Sequence, residues 1–141
     1  MKKVFALMLV SFVGFGLFSC NSDDDNGNND PVYSVEGRWE VTGFFINGSS
    51  QELSCELQGI RQFKADNTYL QEEFISDGNG GCVETSNSPV IGTWNKNGTV
   101  LKTTLPGTTS TYELSFVNGN LFELVRTVEG YNFKYTYQRI N

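Results

Sequence analysis

The 141-residue sequence contains no histidine. Imidazole is the commonest general base near neutral pH and a frequent zinc ligand. Its absence excludes imidazole base catalysis and histidine-ligated metal sites. We accordingly predict no metal site and no cofactor.

Basic side chains are also scarce. The sequence has 10 Lys and Arg against 16 Asp and Glu, which gives a net charge of −6. Binding to phosphate groups needs a surplus of Lys and Arg on one face, so this balance argues against nucleic acid as a partner. It argues equally against electrostatic docking on anionic lipid.

The first 20 residues have the order of an export signal. Lys2 and Lys3 form a basic start, and residues 4–18 are an uncharged run too short to span a bilayer comfortably. The run ends in Leu17-Phe18-Ser19-Cys20, which resembles the lipobox of bacterial lipoproteins. The resemblance implies that residues 1–19 are a lipoprotein signal peptide and that lipidated Cys20 anchors the mature protein in the outer membrane.

The next segment is polar throughout. Residues 21–30 read NSDDDNGNND and contain nothing that could be buried. We predict that residues 20–32 carry the lipid and then form a flexible, disordered tether. Its acidic run resembles the export signal of Bacteroidota-type surface lipoproteins, which implies exposure at the cell surface. A solvated spacer is the alternative interpretation.

Two cysteines remain beyond the signal, Cys55 and Cys82. In an exported protein such a pair indicates one structural disulfide. The alternative, a redox couple of free thiols, usually has Cys-x-x-Cys spacing, which this sequence lacks.

Residues 33–141 show no helical periodicity and alternate instead like strands separated by tight turns. Asn-Gly and Glu-Gly pairs mark several of the turns. We predict an all-β domain, a single eight-stranded antiparallel up-and-down barrel, because closure removes exposed edges. The predicted strands are residues 38–46, 59–64, 68–74, 89–95, 100–103, 110–117, 121–128 and 131–140.

The sequence Gly37-x-Trp39 resembles the opening of the first strand in lipocalin-like domains of bacterial lipoproteins. The resemblance implies that Trp39 closes one end of the barrel and that Arg139, near the end of the last strand, packs across the indole. A guanidinium on an indole face contributes about 0.5–2 kcal/mol. The cysteine pair and a second Gly-x-Trp at Gly92 also resemble this bacterial subgroup.

Aromatic residues alternate along the later strands, so they share one face. They either fill the barrel or line an apolar pocket in which phenol hydroxyls orient a ligand. The candidate ligand-lining residues are Phe45, Trp94, Tyr112, Leu114, Phe122, Leu124, Phe133 and Tyr135.

Catalysis has little support in the sequence, and we predict that the protein is not an enzyme. No nucleophile with an adjacent base is visible. A carboxylate-based hydrolase using Glu72 with Glu73, or Glu113 with Glu123, is an alternative. Neighbouring residues on a strand point to opposite faces, however, so Glu72 and Glu73 would not meet.

We predict a monomeric, lipid-anchored envelope protein that binds or carries a small hydrophobic or amphipathic ligand in its barrel. The alternative is a surface module that binds protein or glycan through its loops, such as residues 47–57 and 76–88.

Overall fold

The computed structural model describes residues 31–141. The predicted signal peptide, the lipidation site at Cys20 and most of the predicted tether lie outside the described residues. Eleven strands follow one another along the described chain: β1 (Gly37–Ile46), β2 (Ser49–Gln51), β3 (Ile60–Phe63), β4 (Thr68–Gln71), β5 (Phe74–Ser76), β6 (Cys82–Glu84), β7 (Val90–Asn97), β8 (Val100–Leu105), β9 (Thr108–Asn118), β10 (Leu121–Val128) and β11 (Tyr131–Ile140).

Eight of these strands close into a barrel. The order is β1-β3-β4-β7-β8-β9-β10-β11, each strand is antiparallel to its neighbours, and β11 pairs back with β1. The predicted eight-stranded up-and-down barrel is therefore confirmed. Closure satisfies the backbone groups that would otherwise form two open sheet edges.

Three short strands lie outside the barrel wall. Strand β2 forms a hairpin with the last part of β1, and β5 pairs with β6 in a separate two-stranded sheet. A single 3₁₀ turn, Cys55–Leu57, lies between β2 and β3. The sequence predicted loops over residues 47–57 and 76–88, which contain β2 and β6, and it placed Phe74 of β5 at the end of the predicted strand 68–74. Strands of only three residues are too short to show a clear alternation.

Two tight turns show why the connections are short. In Asn47-Gly48 and in Glu129-Gly130 both residues have positive φ, between 49° and 84°. That backbone matches the right-handed twist of paired strands and so suits a two-residue hairpin. A positive φ is unusual for glutamate. At this turn Glu129 has a φ of 50°, and the following Gly130 has the larger φ of 84°.

A bulge in β1 reverses which of its residues face inward. The pairing of β1 with β11 shifts between Val41 and Gly43, so Phe44 lies opposite Tyr135 and Phe45 lies opposite Lys134. Phe44 stacks on Tyr135 inside the barrel. The prediction that Phe45 lines the barrel interior is wrong, because the bulge inserts one residue between Val41 and Phe44 and turns Phe45 to the outer face.

The two ends of the barrel differ. We call the end at which β1 begins the closed end. It carries residues 31–36 and the β3–β4, β7–β8 and β9–β10 turns. We call the other end the mouth. It carries the 3₁₀ turn, the β5–β6 hairpin and the β8–β9 and β10–β11 turns.

Residues 31–141 contain no helix with the length and hydropathy needed to cross a bilayer.

Candidate functional site

Trp39 fills the closed end. Its side chain is 0% exposed, and the indole Nε1 donates a hydrogen bond to the carbonyl of Val35 at 2.7 Å. The ring meets Phe122 edge-on, with 4.4 Å between ring centroids. The indole is therefore both packed against the aromatic core and fixed in orientation by the chain that enters β1.

Arg139 covers this indole from the last strand. The guanidinium carbon lies 4.1 Å from the Trp39 ring centroid. Its nitrogens donate to the carbonyls of Ser34, Glu36 and Gly119 at 2.9, 2.8 and 3.1 Å. One side chain thereby ties the entering chain, the last strand and the β9–β10 turn together across the closed end.

Gly37 makes room for this arrangement. Its φ is +131°, a conformation that residues with a Cβ rarely adopt, and an added Cβ would collide with Nη1 of Arg139. The structure thus brings together Gly37, Trp39 and Arg139, the three residues that the sequence predicts for barrel closure.

The half of the interior next to the closed end is filled by side chains. Phe122 stacks on Tyr137 with 4.8 Å between ring centroids, and Phe63 meets Trp94 edge-on at 5.6 Å. Four of the predicted ligand-lining residues belong to this packed core and not to the pocket wall at the mouth: Trp94, Leu114, Phe122 and Leu124.

A pocket of about 250 Å³ occupies the other half and faces the mouth. Two predicted lining residues, Tyr112 and Tyr135, lie on its wall. Phe133 packs beside it against Phe44, and Phe45 lies on the outer face with Lys134 above its ring at 4.7 Å. The interior therefore divides along the barrel axis into an aromatic core and a ligand-sized space.

Arg61 is buried in the pocket wall, where sequence reasoning did not place it. Its side chain is 4% exposed, and it donates hydrogen bonds to the carbonyls of Glu56, Gln58, Gly59 and Glu72 at 3.0–3.2 Å. It therefore holds the loop that enters β3 against the end of β4. The sequence did contain one indication of its inward direction: Arg61 lies two residues before the inward-facing Phe63, and side chains two apart on a strand share a face.

Arg126 is the second arginine of the pocket. Its Nη1 makes a long contact to the Ser110 hydroxyl at 3.4 Å, and its Nε is buried with no hydrogen-bond partner among residues 31–141. The guanidinium carbon lies 5.8 Å from the ring centroids of both Tyr112 and Phe133. Alternation along β10 also points this side chain inward, on the same face as Phe122 and Leu124.

Neither pocket arginine has an acidic partner. Within residues 31–141 the one ion pair joins Lys134 to Glu123 at 2.9 Å, on the outer face. Of the residues that line the pocket, only Glu56 is acidic, and it is exposed at the rim. The pocket is thus electropositive in a chain whose net charge is negative.

Three tyrosines of the pocket, Tyr69, Tyr135 and Tyr137, have raised pKa values, so their hydroxyls stay protonated and can donate hydrogen bonds. Burial raises the pKa of Tyr69. It also raises the pKa of Tyr137, to well above 10.0. Burial also raises the pKa of Tyr135, although the neighbouring Arg126 acts in the opposite direction. Tyr69 donates to Oε1 of Gln71 at 3.0 Å.

These shifts predict a loss of stability in strong alkali. The folded state keeps protons on Tyr69 and Tyr137 that the unfolded chain releases near pH 10. The contribution of these two hydroxyls to the free energy of unfolding is therefore complete below pH 10 and is lost as the pH rises toward their raised pKa values. Thermal unfolding midpoints between pH 8 and about 12 should fall less steeply in a Tyr69→Phe/Tyr137→Phe variant. Tyr131→Phe, at an exposed position, is the control, and an unchanged slope in the double variant would refute the assignment.

The predicted disulfide is confirmed. Cys55 and Cys82 are bonded, with 5.5 Å between their Cα atoms. The bond joins the 3₁₀ turn, which supplies a carbonyl to Arg61, to strand β6. It therefore fixes the two loops at the mouth to each other, beside the pocket.

The glutamates considered for acid–base chemistry have other surroundings. Glu72 accepts a hydrogen bond from the backbone N–H of Ile60 at 2.9 Å. Glu123 is in the ion pair with Lys134, whereas Glu113 lies opposite Val125. Across residues 31–141 no three Cys, Asp or Glu side chains converge as they would around a metal ion.

The fold and site define a class of protein: a small closed antiparallel barrel with one plugged end and one polar pocket at its mouth. No family model matches the chain, and no curated protein or solved structure matches it either.

Proposed function

We propose that this protein binds one small amphipathic molecule in the pocket at the barrel mouth. The observation that carries the proposal is the pocket of about 250 Å³ above a filled aromatic core. The space lies between the barrel strands and opens at the mouth, a common place for ligand sites in β-barrels. It is somewhat below the roughly 300 Å³ at which sites for drug-sized molecules begin, which favours a small ligand.

The wall of the pocket favours an amphipathic ligand over a purely apolar one. Tyrosine rings supply flat apolar surface, while Gln71, Ser110 and two arginines supply polar groups. A few polar groups among aromatic side chains are what orients a ligand in most small-molecule sites.

A filling substitution tests the pocket as the binding site. Ser110→Phe places a phenyl ring in the pocket and should abolish retention of small molecules, as followed by native mass spectrometry of the protein purified from its own membranes. Ser115→Phe is the matched control, because Ser115 is exposed on the outer face of the same strand. Equal retention by wild type and both variants would place any ligand elsewhere.

We further propose that the barrel is displayed on a membrane through a lipid on Cys20. Support comes from the order of basic, apolar, small and cysteine residues at the start of the sequence. Cys20→Ala should abolish the incorporation of a labelled fatty acid into the protein, and a variant that is labelled as strongly as the wild type would contradict the anchor.

A second candidate is an interaction module. Ile75 and Val83 lie opposite each other in the β5–β6 hairpin and are 51% and 47% exposed. The disulfide holds this hairpin at the mouth. Paired exposed aliphatic side chains on a fixed hairpin suit contact with another macromolecule, and an Ile75→Ser/Val83→Ser variant should lose such contact while keeping ligand retention.

A further inference from the structure

We propose that the ligand is a monocarboxylic acid whose carboxylate is bound by the guanidinium of Arg126. The inference rests on the proposed function, since it names the chemistry of the molecule that the pocket would take. It is carried by the placement of both arginines in the pocket wall and by the few hydrogen bonds that Arg126 makes.

The pocket carries positive charge. Arg61 and Arg126 both line it, and neither is paired with a carboxylate among the described residues. Burying a cation without an anion is costly, and the cost falls when an opposite charge enters the same low-dielectric space. An anionic ligand therefore gains electrostatic binding energy in the pocket that a neutral ligand of the same shape does not gain.

The two arginines differ in how many of their donors are used. Nη1 and Nη2 of Arg61 already donate to four backbone carbonyls. Arg126 has only a 3.4 Å contact from Nη1 to Ser110, and its buried Nε has no partner in residues 31–141. Arg126 is thus the pocket arginine with more donors left for a ligand.

A carboxylate suits the donors that Arg126 has left. The two terminal nitrogens of a guanidinium lie in one plane and match the two oxygens of a carboxylate. The third oxygen of a phosphate would need further donors, and the Nη atoms of Arg61 already donate to backbone carbonyls. The Tyr112 ring centroid lies 5.8 Å from the guanidinium carbon of Arg126, and Tyr112 and Tyr135 both line the pocket and present aromatic surface to the body of the acid.

The experiment compares three probes of equal chain length with the full protein: octanoate, octan-1-ol and octyl phosphate. Affinities are measured by isothermal titration calorimetry after removal of any co-purified ligand. Octanoate should bind about tenfold or more tightly than octan-1-ol, the difference expected for a hydrogen-bonded charge. Arg126→Gln should remove this preference, and Arg126→Lys should retain part of it.

Lys134→Gln is the matched control, since Lys134 is a cation on the neighbouring strand whose side chain lies on the outer face. It should leave all three affinities unchanged. Thermal unfolding of each variant shows whether the barrel has folded, and Arg126→Met provides a second neutral variant of similar length.

The outcomes separate the two proposals. If octan-1-ol binds as tightly as octanoate and Arg126→Gln changes neither, the carboxylate inference is overturned while pocket binding stands. Tighter binding of octyl phosphate also overturns it. If no probe binds and native mass spectrometry shows no retained molecule, both the inference and the proposed function fail.

Discussion

Replacing Trp39 by alanine is expected to lower the free energy of unfolding by about 3–5 kcal/mol, the range for large aromatics removed from a core. The side chain is fully buried, packs edge-on against Phe122 and lies under the guanidinium of Arg139. Its loss would leave a cavity at the closed end and an arginine with no ring beneath it. Urea denaturation followed by circular dichroism measures the change.

Phe45→Ala is the matched control for this substitution. Phe45 lies on the same strand but on the outer face, paired with Lys134. Because its ring is only partly buried, the change should cost about 1 kcal/mol or less. A Trp39→Ala variant no less stable than Phe45→Ala would show that the indole does not hold the closed end together.

Removing the disulfide is expected to have the second-largest effect. Cys55 and Cys82 are 27 residues apart, and the entropy of a loop of that length corresponds to about 3.5 kcal/mol. The Cys55→Ser/Cys82→Ser variant should lose roughly this much stability. It should also lose ligand retention, because the bond fixes the mouth loop that the buried Arg61 holds through the carbonyl of Glu56.

The wild-type protein in reducing agent is the control for the disulfide, since it breaks the same bond without changing the sequence. The reduced wild type and the double serine variant should show the same unfolding midpoint. If the reduced protein and the double serine variant both keep the midpoint of the oxidised protein, the disulfide contributes no stability and the loops are held by their hydrogen bonds alone.

The sequence was sufficient for features that depend on local pattern. Alternation of apolar residues, broken by Asn-Gly and Glu-Gly turns, placed all eight barrel strands, because side chains on a strand repeat every two residues. Two cysteines beyond the predicted export signal left one intramolecular pairing, between Cys55 and Cys82. The Gly-x-Trp opening and a late arginine identified the residues that meet at the closed end.

The features that the sequence missed each depend on distant parts of the chain. The bulge in β1 is one extra residue whose place is set by the pairing with β11, and it exchanged the faces of Phe44 and Phe45. Arg61 also escaped notice, because a buried arginine is tolerated only where folded loops supply carbonyls around it.

What the sequence determined by itself is the eight barrel strands, their order and the inward face of most of them. Only the tertiary structure decided how deep each inward residue lies along the barrel axis. Alternation has a period of two and carries no information about that axis, so Phe122 and Tyr112 look alike in the sequence. Strand stagger and closure place Phe122 in the packed core and Tyr112 beside Arg126 at the pocket.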